Sequence, residues 1–316
     1  MTTGNDTTRT TVVVVTWRGR DHLIGCLDAL AAQTRPHRLL VVDNASDDGS
    51  AAILAAHPSR PEVHRTAANV GYAGALAAAL PRVGTEFVAW LNDDAAPEPD
   101  WLALLETALD EDARAAAASP RLETPAGETQ SVGVVLTGDG HGADAVDGPV
   151  FGFCGGAALL RTAALTEAGG VPAEFFCYYE DTDTAWRLRL GGWTVCSVPA
   201  ARVRHLHGAS TRPGSVLFHR WNERNRLAML VRCAPAAVAV RELARFAAIT
   251  AALPVRRLLG RTVPAAANFR VGLRLRVLAE VVTRLPGLVT GRVEIGRRAT
   301  RSRAEVWATG RPARSR

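Results

Sequence analysis

Three short apolar runs, each followed by polar or acidic residues, restrict this chain to few folds. Residues 11–17 (TVVVVTW), 38–42 (RLLVV) and 87–91 (FVAWL) are β-branched, aliphatic or aromatic over most of their length. A strand with one wet face alternates apolar and polar residues, whereas a strand covered on both faces is apolar throughout. Between the first two runs, Leu23, Cys26, Leu27, Leu30 and Ala31 recur at helical spacing over residues 20–32. Asp21 falls in the first turn, where the helix dipole favours a carboxylate. A second helix follows over residues 51–57, with Ser50 or a nearby Asp placed to cap it. Strand, helix, strand, helix in this order predicts βαβ units and a mostly parallel sheet.

The strand ends carry the chemistry. The second run stops at residues 43–50 (DNASDDGS), and the third at Asn92-Asp93-Asp94, followed by a Pro-containing stretch that does not continue a strand. Open α/β sheets bind ligands beyond the carboxyl ends of their strands. Adjacent carboxylates there suit a hard cation such as Mg²⁺ or Mn²⁺, which in turn holds a phosphate. Taken alone, Asn92-Asp93-Asp94 reads equally as a solvated acidic turn. Asn69-Val-Gly71-Tyr-Ala-Gly74 opens a helix over residues 75–80, and glycines before a helix expose N–H groups to anions.

Further on, a helix is expected over 100–109. Residues 113–118 lead toward Pro120 without a clear element, and 121–150 read as a loop with one hairpin near the substrate. A glycine-rich strand over 151–160 and a helix over 161–169 follow. Aromatic residues 175–179 then lead into Glu180-Asp181-Thr-Asp183 and a helix over 182–190, with Trp186 facing the core, and a strand covers 193–198.

Charge divides the chain. Residues 1–200 carry 13 Arg against 26 Asp and Glu, whereas residues 201–316 carry 24 Arg against 5 Glu, within a net charge of +6. An acidic front half and a basic back half suggest catalysis and attachment. Arginine-studded helices over 226–296 fit an anionic membrane surface; the alternative is a helical subdomain with a solvated arginine face. No motif or aromatic interleaving points to nucleic acid. No run approaches the roughly 18 apolar residues of a membrane span, and residues 1–10 lack the apolar stretch of a secretory signal. The five cysteines show no C-x-x-C spacing, so reduced thiols rather than structural zinc are expected. The expected organisation is a flexible N-terminus (1–10), a catalytic domain (11–225), a basic helical region (226–296) and a flexible basic tail (297–316). The expected place is the cytoplasm, peripheral on the inner face of the cell membrane.

Val41-Val-Asp-Asn-Ala-Ser-Asp47, Asn92-Asp93-Asp94 and Glu180-Asp181, in this order and each at an element's end, resemble the family 2 glycosyltransferases of the GT-A fold. Asn69-x-Gly71, Phe153-x-Gly155-Gly156 and His205-x-x-Gly208-x-Ser210 make the likeness narrower, to the rhamnosyltransferase-type branch. The resemblance covers about residues 11–225. It implies a Rossmann-like GT-A domain with a C-terminal helical extension. It also implies an enzyme that moves a sugar, rhamnose or another deoxyhexose, from a nucleotide-diphosphate donor to a cell-surface glycan or polyprenyl-diphosphate-linked acceptor.

The same resemblance assigns roles. Thr16, Asp43, Asp47, Asn69 and Gly71 meet the nucleotide, and Asp93 meets the ribose or donor sugar. Asp94 ligates the divalent cation, with His205 completing the site and His207 competing for that role. Asp181 is the general base, its pKa pushed upward by Glu180 and Asp183 against the helix dipole. Alternatively, Asp181 and Asp183 merely cap their helix. Gly155 and Gly156 leave room for the acceptor. One departure is Trp17-Arg18 after the first strand, where relatives commonly carry Tyr-Asn. A nucleotidyltransferase is the competing enzyme reading, but Trp17-Arg-Gly-Arg20 is short for the phosphate loop it needs. A non-catalytic sugar-nucleotide or membrane-binding scaffold is opposed by the presence of both Asp94 and Asp181.

Overall fold

The computed structural model describes residues 8–206 and 214–310. The front half contains β1 (Thr10–Thr16), α1 (Arg20–Ala31), β2 (His37–Asp43), α2 (Ser50–Ala56), β3 (Glu62–Arg65), α3 (Gly71–Ala79) and β4 (Phe87–Asn92). Then come β5 (Ala95–Pro97), α4 (Trp101–Glu111), β6 (Ala115–Glu123), β7 (Thr129–Ser131), β8 (Gly133–Leu136) and β9 (Gly142–Ala145). β10 (Ala157–Arg161), α5 (Thr162–Glu167), α6 (Glu180–Leu190) and β11 (Thr194–His205) complete the sheet region. The chain continues through α7 (Val216–Cys233), α8 (Ala236–Leu258), α9 (Val271–Arg298) and α10 (Arg303–Thr309).

One nine-stranded sheet runs in the order β3–β2–β1–β4–β10–β6–β11–β5, with β7 paired to β6. β3, β2, β1 and β4 are mutually parallel, as are β6 and β11; β10 lies antiparallel between the two groups. Both faces are covered, which is why the strand sequences lack alternation. Val12 and Val14 pack with α1, α2 and α4, while Val13 and Val15 pack with α3, α5 and α6.

β6 has no clear signal in the sequence. Four consecutive alanines favour helix intrinsically, yet Ala115–Ala118 are fully buried between β10 and β11. Burial on both faces overrides the propensity. Pro120 is tolerated because the β6–β11 ladder shifts register between Val198 and Arg202, next to its partner position. β10 is shorter than the expected 151–160 strand, and the glycine-bearing segment before it takes an irregular path.

The expected boundary at residue 225 falls inside α7. Glu223, Arg224, Asn225 and Arg226 are buried. Leu227 and Leu230 share a core with Phe175, Trp186 and Leu190 from the sheet region, together with Val277 and Val281 of α9. Residues 297–310, the first part of the expected tail, include the end of α9 and all of α10. α9 extends to Arg298, and α10 starts on a capping box in which Ser302 and Glu305 satisfy each other's backbone N–H. Trp307 stacks on Trp186 with ring centroids 5.6 Å apart. Trp307→Ala is therefore expected to lower unfolding stability by about 3–5 kcal/mol, the usual result of emptying a buried aromatic site. Denaturant titration followed by tryptophan fluorescence checks this; a loss below about 0.5 kcal/mol, as at a free surface position, overturns the docking of α10. Residues 1–7, His207, Gly208, Ser210 and residues 311–316 lie outside the described residues.

Candidate active site

The end of β4 and the end of β11 meet through β5. Antiparallel pairing sets His205 against Ala95, and the Leu206 N–H donates to the Asp94 carbonyl at 3.1 Å. This register brings His205 Nε2 to 3.2 Å from Asp94 Oδ1, with both side chains buried. Gln130 Oε1 lies 3.1 Å from the other ring nitrogen, Nδ1, and Asn92 Nδ2 lies 3.2 Å from Nε2. The Gln130 carbonyl oxygen facing Nδ1 orients the ring so that Nε2 points at Asp94.

The two aspartates differ. Burial raises the Asp94 pKa, but the His205 imidazole more than offsets it, so the carboxyl sits below its usual range. Asp93 has no such partner: burial pushes it up to about 6, helped by the Asp94 charge and opposed by the Thr16 hydroxyl. Gly19 closes over this corner. A Cβ there would fall 2.0 Å from Asp93 Oδ2 and 2.5 Å from Thr16 Oγ1.

Among the described residues no three His, Cys, Asp or Glu converge as a ready-made metal cluster. Two donors do fit a hard cation. Their 3.2 Å separation is close to the ~3.0 Å edge of an octahedron with ~2.1 Å bonds. Mg²⁺ and Mn²⁺ fill their remaining positions with water and substrate phosphate.

The second carboxylate pair opens α6. The chain enters this helix through Phe176, Tyr178 and Tyr179 at φ of 66°, 71° and 69°, left-handed values that cost non-glycine residues about 1–3 kcal/mol each. α7 holds the entry in place. Asn225 Nδ2 donates to the carbonyls of Phe175, Cys177 and Tyr178 at 2.8–2.9 Å, and Arg224 Nη2 donates to Phe175 at 2.6 Å. Gly71, at φ 77°, admits the same segment: a Cβ there would lie 2.2 Å from the Phe176 carbonyl, which instead accepts from Ala73 N–H at 3.0 Å. Asn69 Oδ1 accepts from Gly71 N–H at 2.8 Å and from Asn44 Nδ2 at 3.0 Å, tying the end of β2 to α3.

Asp181 accepts three hydrogen bonds, from Gly155 N–H at 2.9 Å, Thr182 N–H at 2.5 Å and Thr182 Oγ1 at 3.0 Å. Tyr72 O–H in turn donates to the Gly155 carbonyl at 2.6 Å. Burial raises the pKa of both Asp181 and Glu180, and the Asp181 charge pushes Glu180 further, to about 8. Glu180 Oε2 is buried without a hydrogen-bond partner. Burial and the Asp181 charge thus favour the protonated form of Glu180, while the three donors work against burial in favour of the Asp181 carboxylate. The capping alternative divides between the two aspartates. Asp183 is structural, bonded to Arg187 Nε at 2.7 Å within the buried face of α6, whereas Asp181 faces a cavity.

That cavity has a volume of about 430 Å³. Asn69, Gly71, Asp93 and Asp94 line it from the strand-end side. Gly155, Gly156, Glu180, Asp181 and His205 line it as well. Three of the expected nucleotide contacts stand off the wall. Thr16 is buried beneath Asp93. Asp43 is buried, accepting from Ser46 N–H at 2.9 Å and from Arg65. Asp47 is exposed and paired with Arg18 at 2.6 Å. Neither Gly155 nor Gly156 is open space. A Cβ on Gly155 would press on Asp181 at 3.2 Å, and one on Gly156 would meet Leu122 at 3.2 Å and His205 at 3.5 Å. Their small size serves the site's own carboxylate and imidazole.

Sequence reasoning did not single out several wall residues. Asn44 adjoins the quoted Asp43. Phe176 and Tyr178 pair with Trp221 and Phe218 of α7, with ring centroids 4.8 Å and 5.3 Å apart. The aromatic cluster 175–179 was a visible signal; its partners on α7 follow only from the tertiary fold.

The family model for glycosyl transferase family 2 matches residues 11–169. A curated relative, the N-acetylglucosaminyl-diphospho-decaprenol L-rhamnosyltransferase of Mycobacterium tuberculosis, is 26% identical over 63% of this chain and 76% of its own length. Among solved structures, the mannosyltransferase PcManGT from Pyrobaculum calidifontis, in complex with GDP-Man and Mn²⁺, aligns over 88% of this chain and 87% of its own, with a TM-score of 0.54 and 20% identity. S. aureus TarS 1–349 aligns over 97% and 93%, with a TM-score of 0.55 and 19% identity. These likenesses bear out the GT-A architecture expected from the strand-end motifs.

Proposed function

The chain belongs to glycosyl transferase family 2, and from that premise we propose that it is an inverting, metal-dependent transferase moving rhamnose or another deoxyhexose from a nucleotide-diphosphate sugar to a polyprenyl-diphosphate-linked acceptor. One observation carries the reading. A single cavity holds both the Asp94–His205 pair, spaced for a divalent cation, and a buried Asp181 carboxylate with a raised pKa. The sugar and the acceptor are those of the curated rhamnosyltransferase relative.

In this reading the nucleotide lies among Trp17, Asn44 and Asn69, with Asp93 toward the ribose or donor sugar. Asp43 shapes that pocket indirectly, by holding the Ser46 N–H and Arg65. Asp94 and His205 would hold a divalent cation, which would neutralise charge on the departing diphosphate. Asp181 accepts the proton of the acceptor hydroxyl as that oxygen bonds to the anomeric carbon and the diphosphate oxygen leaves from the opposite face. A single displacement inverts the anomeric configuration. Gly155 N–H and Thr182 hold the Asp181 carboxylate in place for that transfer. The protonated Glu180 beside it adds no second negative charge to a site that receives an anionic donor.

A panel of UDP-, GDP- and dTDP-linked sugars, each tested with and without Mn²⁺, checks the proposal. One donor is expected to raise the melting temperature only when the metal is present. At a hundredfold excess over its Kd it stabilises the fold by about 2.7 kcal/mol. The same donor is expected to be slowly hydrolysed. If no nucleotide sugar binds with either Mg²⁺ or Mn²⁺, the reading fails.

A further inference from the structure

A lipid-linked acceptor is met at a membrane surface. Among the described residues no helix is long and apolar enough to cross a membrane. One end of the C-terminal helices supplies a surface. Residues 243–279 hold seven arginines and no acidic residue. Four of them, Arg256, Arg257, Arg261 and Arg270, are exposed around the α8–α9 turn, and none forms an ion pair among the described residues. Between these arginines stand Val255, Leu258 and Leu259, which are 53%, 87% and 64% exposed. Large apolar side chains at the tip of a turn, ringed by unpaired cations, are costly in water and match the boundary of an anionic bilayer.

The placement relates this tip to the cavity. α7 and α8 pack side by side, and Arg226 of α7 lies 3.7 Å from Glu242 of α8. Only Ala234 and Pro235 separate the two helices in sequence. From that pair, about ten residues, or ~15 Å of helix, lead back along α7 to its first turn. The same length leads forward along α8 to about residue 252. The α8–α9 connection reaches α7 at Glu223, which accepts from Asn268 Nδ2 at 3.2 Å, two residues from Trp221, which lines the cavity with Leu217 and Phe218. Val216 and Leu217 are themselves 43% and 42% exposed at that end. The start of α9 is fixed there too: Arg274 donates to the Phe246 carbonyl at 3.0 Å and to Thr250 Oγ1 at 2.9 Å.

We propose that the α8–α9 turn, through Val255, Leu258, Leu259 and the arginines Arg256, Arg257, Arg261 and Arg270, docks the protein on an anionic lipid bilayer with the cavity mouth toward the membrane. The proposal rests on the lipid-linked acceptor reading. The arginines draw the chain to the negative surface, and the three aliphatic side chains enter the headgroup boundary. Truncation near Asn225 is no test, because it cuts α7 and removes the clamp on the α6 entry.

The test uses the full chain and flotation with two kinds of vesicle, phosphatidylcholine alone and an equal mixture with phosphatidylglycerol. The wild-type protein is expected to float with the anionic vesicles and to be released by high salt. Leu258→Glu combined with Leu259→Glu, and Arg256→Ser combined with Arg257→Ser, are each expected to lower partitioning by roughly tenfold. Metal-dependent nucleotide-sugar binding, measured on the same samples, is expected to be unchanged. Binding intact with flotation unaltered by the substitutions overturns the docking surface while sparing the enzyme reading; failure of wild type to float overturns it equally. A wild-type dimer by light scattering, lost in the variants without any flotation, assigns the patch to self-association and overturns the proposal. Absence of nucleotide-sugar binding in wild type, with flotation as expected, leaves the surface in place and removes the transferase reading.

Discussion

Asp181→Asn is expected to lower sugar transfer by about 10²–10⁴-fold, the usual contribution of a positioned general base, while leaving metal-dependent donor binding within about twofold. Asparagine keeps the size of the side chain and an oxygen for Gly155 N–H or Thr182, so the α6 entry remains assembled. It removes the carboxylate that in the proposed mechanism accepts the proton. The wild-type rate is expected to fall as pH drops through the Asp181 pKa, because the protonated acid would accept nothing. Burial places that acid limb above the usual aspartate range. Glu180→Gln distinguishes the neighbours. Glutamine mimics the protonated form present below about pH 8, so turnover at neutral pH and the acid limb are expected to persist. Above about pH 8 ionised Glu180 repels the anionic donor in the wild type, raising its KM, and that rise is expected to vanish in Glu180→Gln. Wild-type turnover by Asp181→Asn would place the base elsewhere.

The parts of this site that were legible in the sequence are those fixed by local pattern. Strands covered on both faces read directly as apolar runs, and their polar ends place Asp93 and Asp94 at the edge of a sheet. Glu180 and Asp181 are visible as acids at a helix start. What was not legible depends on register and packing. The His205–Asp94 contact follows from three residue pairs between β5 and β11, elements separated by most of the sheet region. β6 is hidden because alanine carries no strand signal and its burial comes from both neighbours. The packing of α7 against the site was not legible, because its buried charged residues look solvated in a linear reading. Glu223 and Arg226 neutralise each other at 2.8 Å, and Arg224 and Asn225 spend their donors on backbone carbonyls before Glu180. A strained entry with three left-handed non-glycine residues persists only where such donors hold it. α7 is therefore part of what holds the α6 entry, and with it the Asp181 carboxylate, in place.

Asp94→Asn is expected to weaken Mn²⁺ binding by more than the ~10–100-fold typical of residues that only support metal ligands, and to lower transfer by at least about 10³-fold, several kcal/mol of charge stabilisation on the leaving diphosphate. The two aspartates separate in this experiment. Asp94 is the carboxylate that an imidazole holds below the usual range, so it offers a full negative charge to a cation. Asp93 is packed under Gly19 beside Thr16, and its carboxyl is pushed up to about 6. Asp93→Asn should thus retain Mn²⁺ binding measured without donor, and instead raise the KM for the nucleotide sugar. Gln130→Leu, which removes the oxygen facing His205 Nδ1, is expected to cost about 10-fold in Mn²⁺ affinity with little effect on donor binding at saturating metal. Titration of Mn²⁺ by electron paramagnetic resonance measures the metal term alone, and calorimetry with donor at saturating metal measures the other. If Asp94→Asn binds Mn²⁺ like the wild type, or if chelator-treated wild type transfers sugar at full rate, the Asp94–His205 pair is a buried structural contact, and the leaving diphosphate must be neutralised by the chain's own arginines.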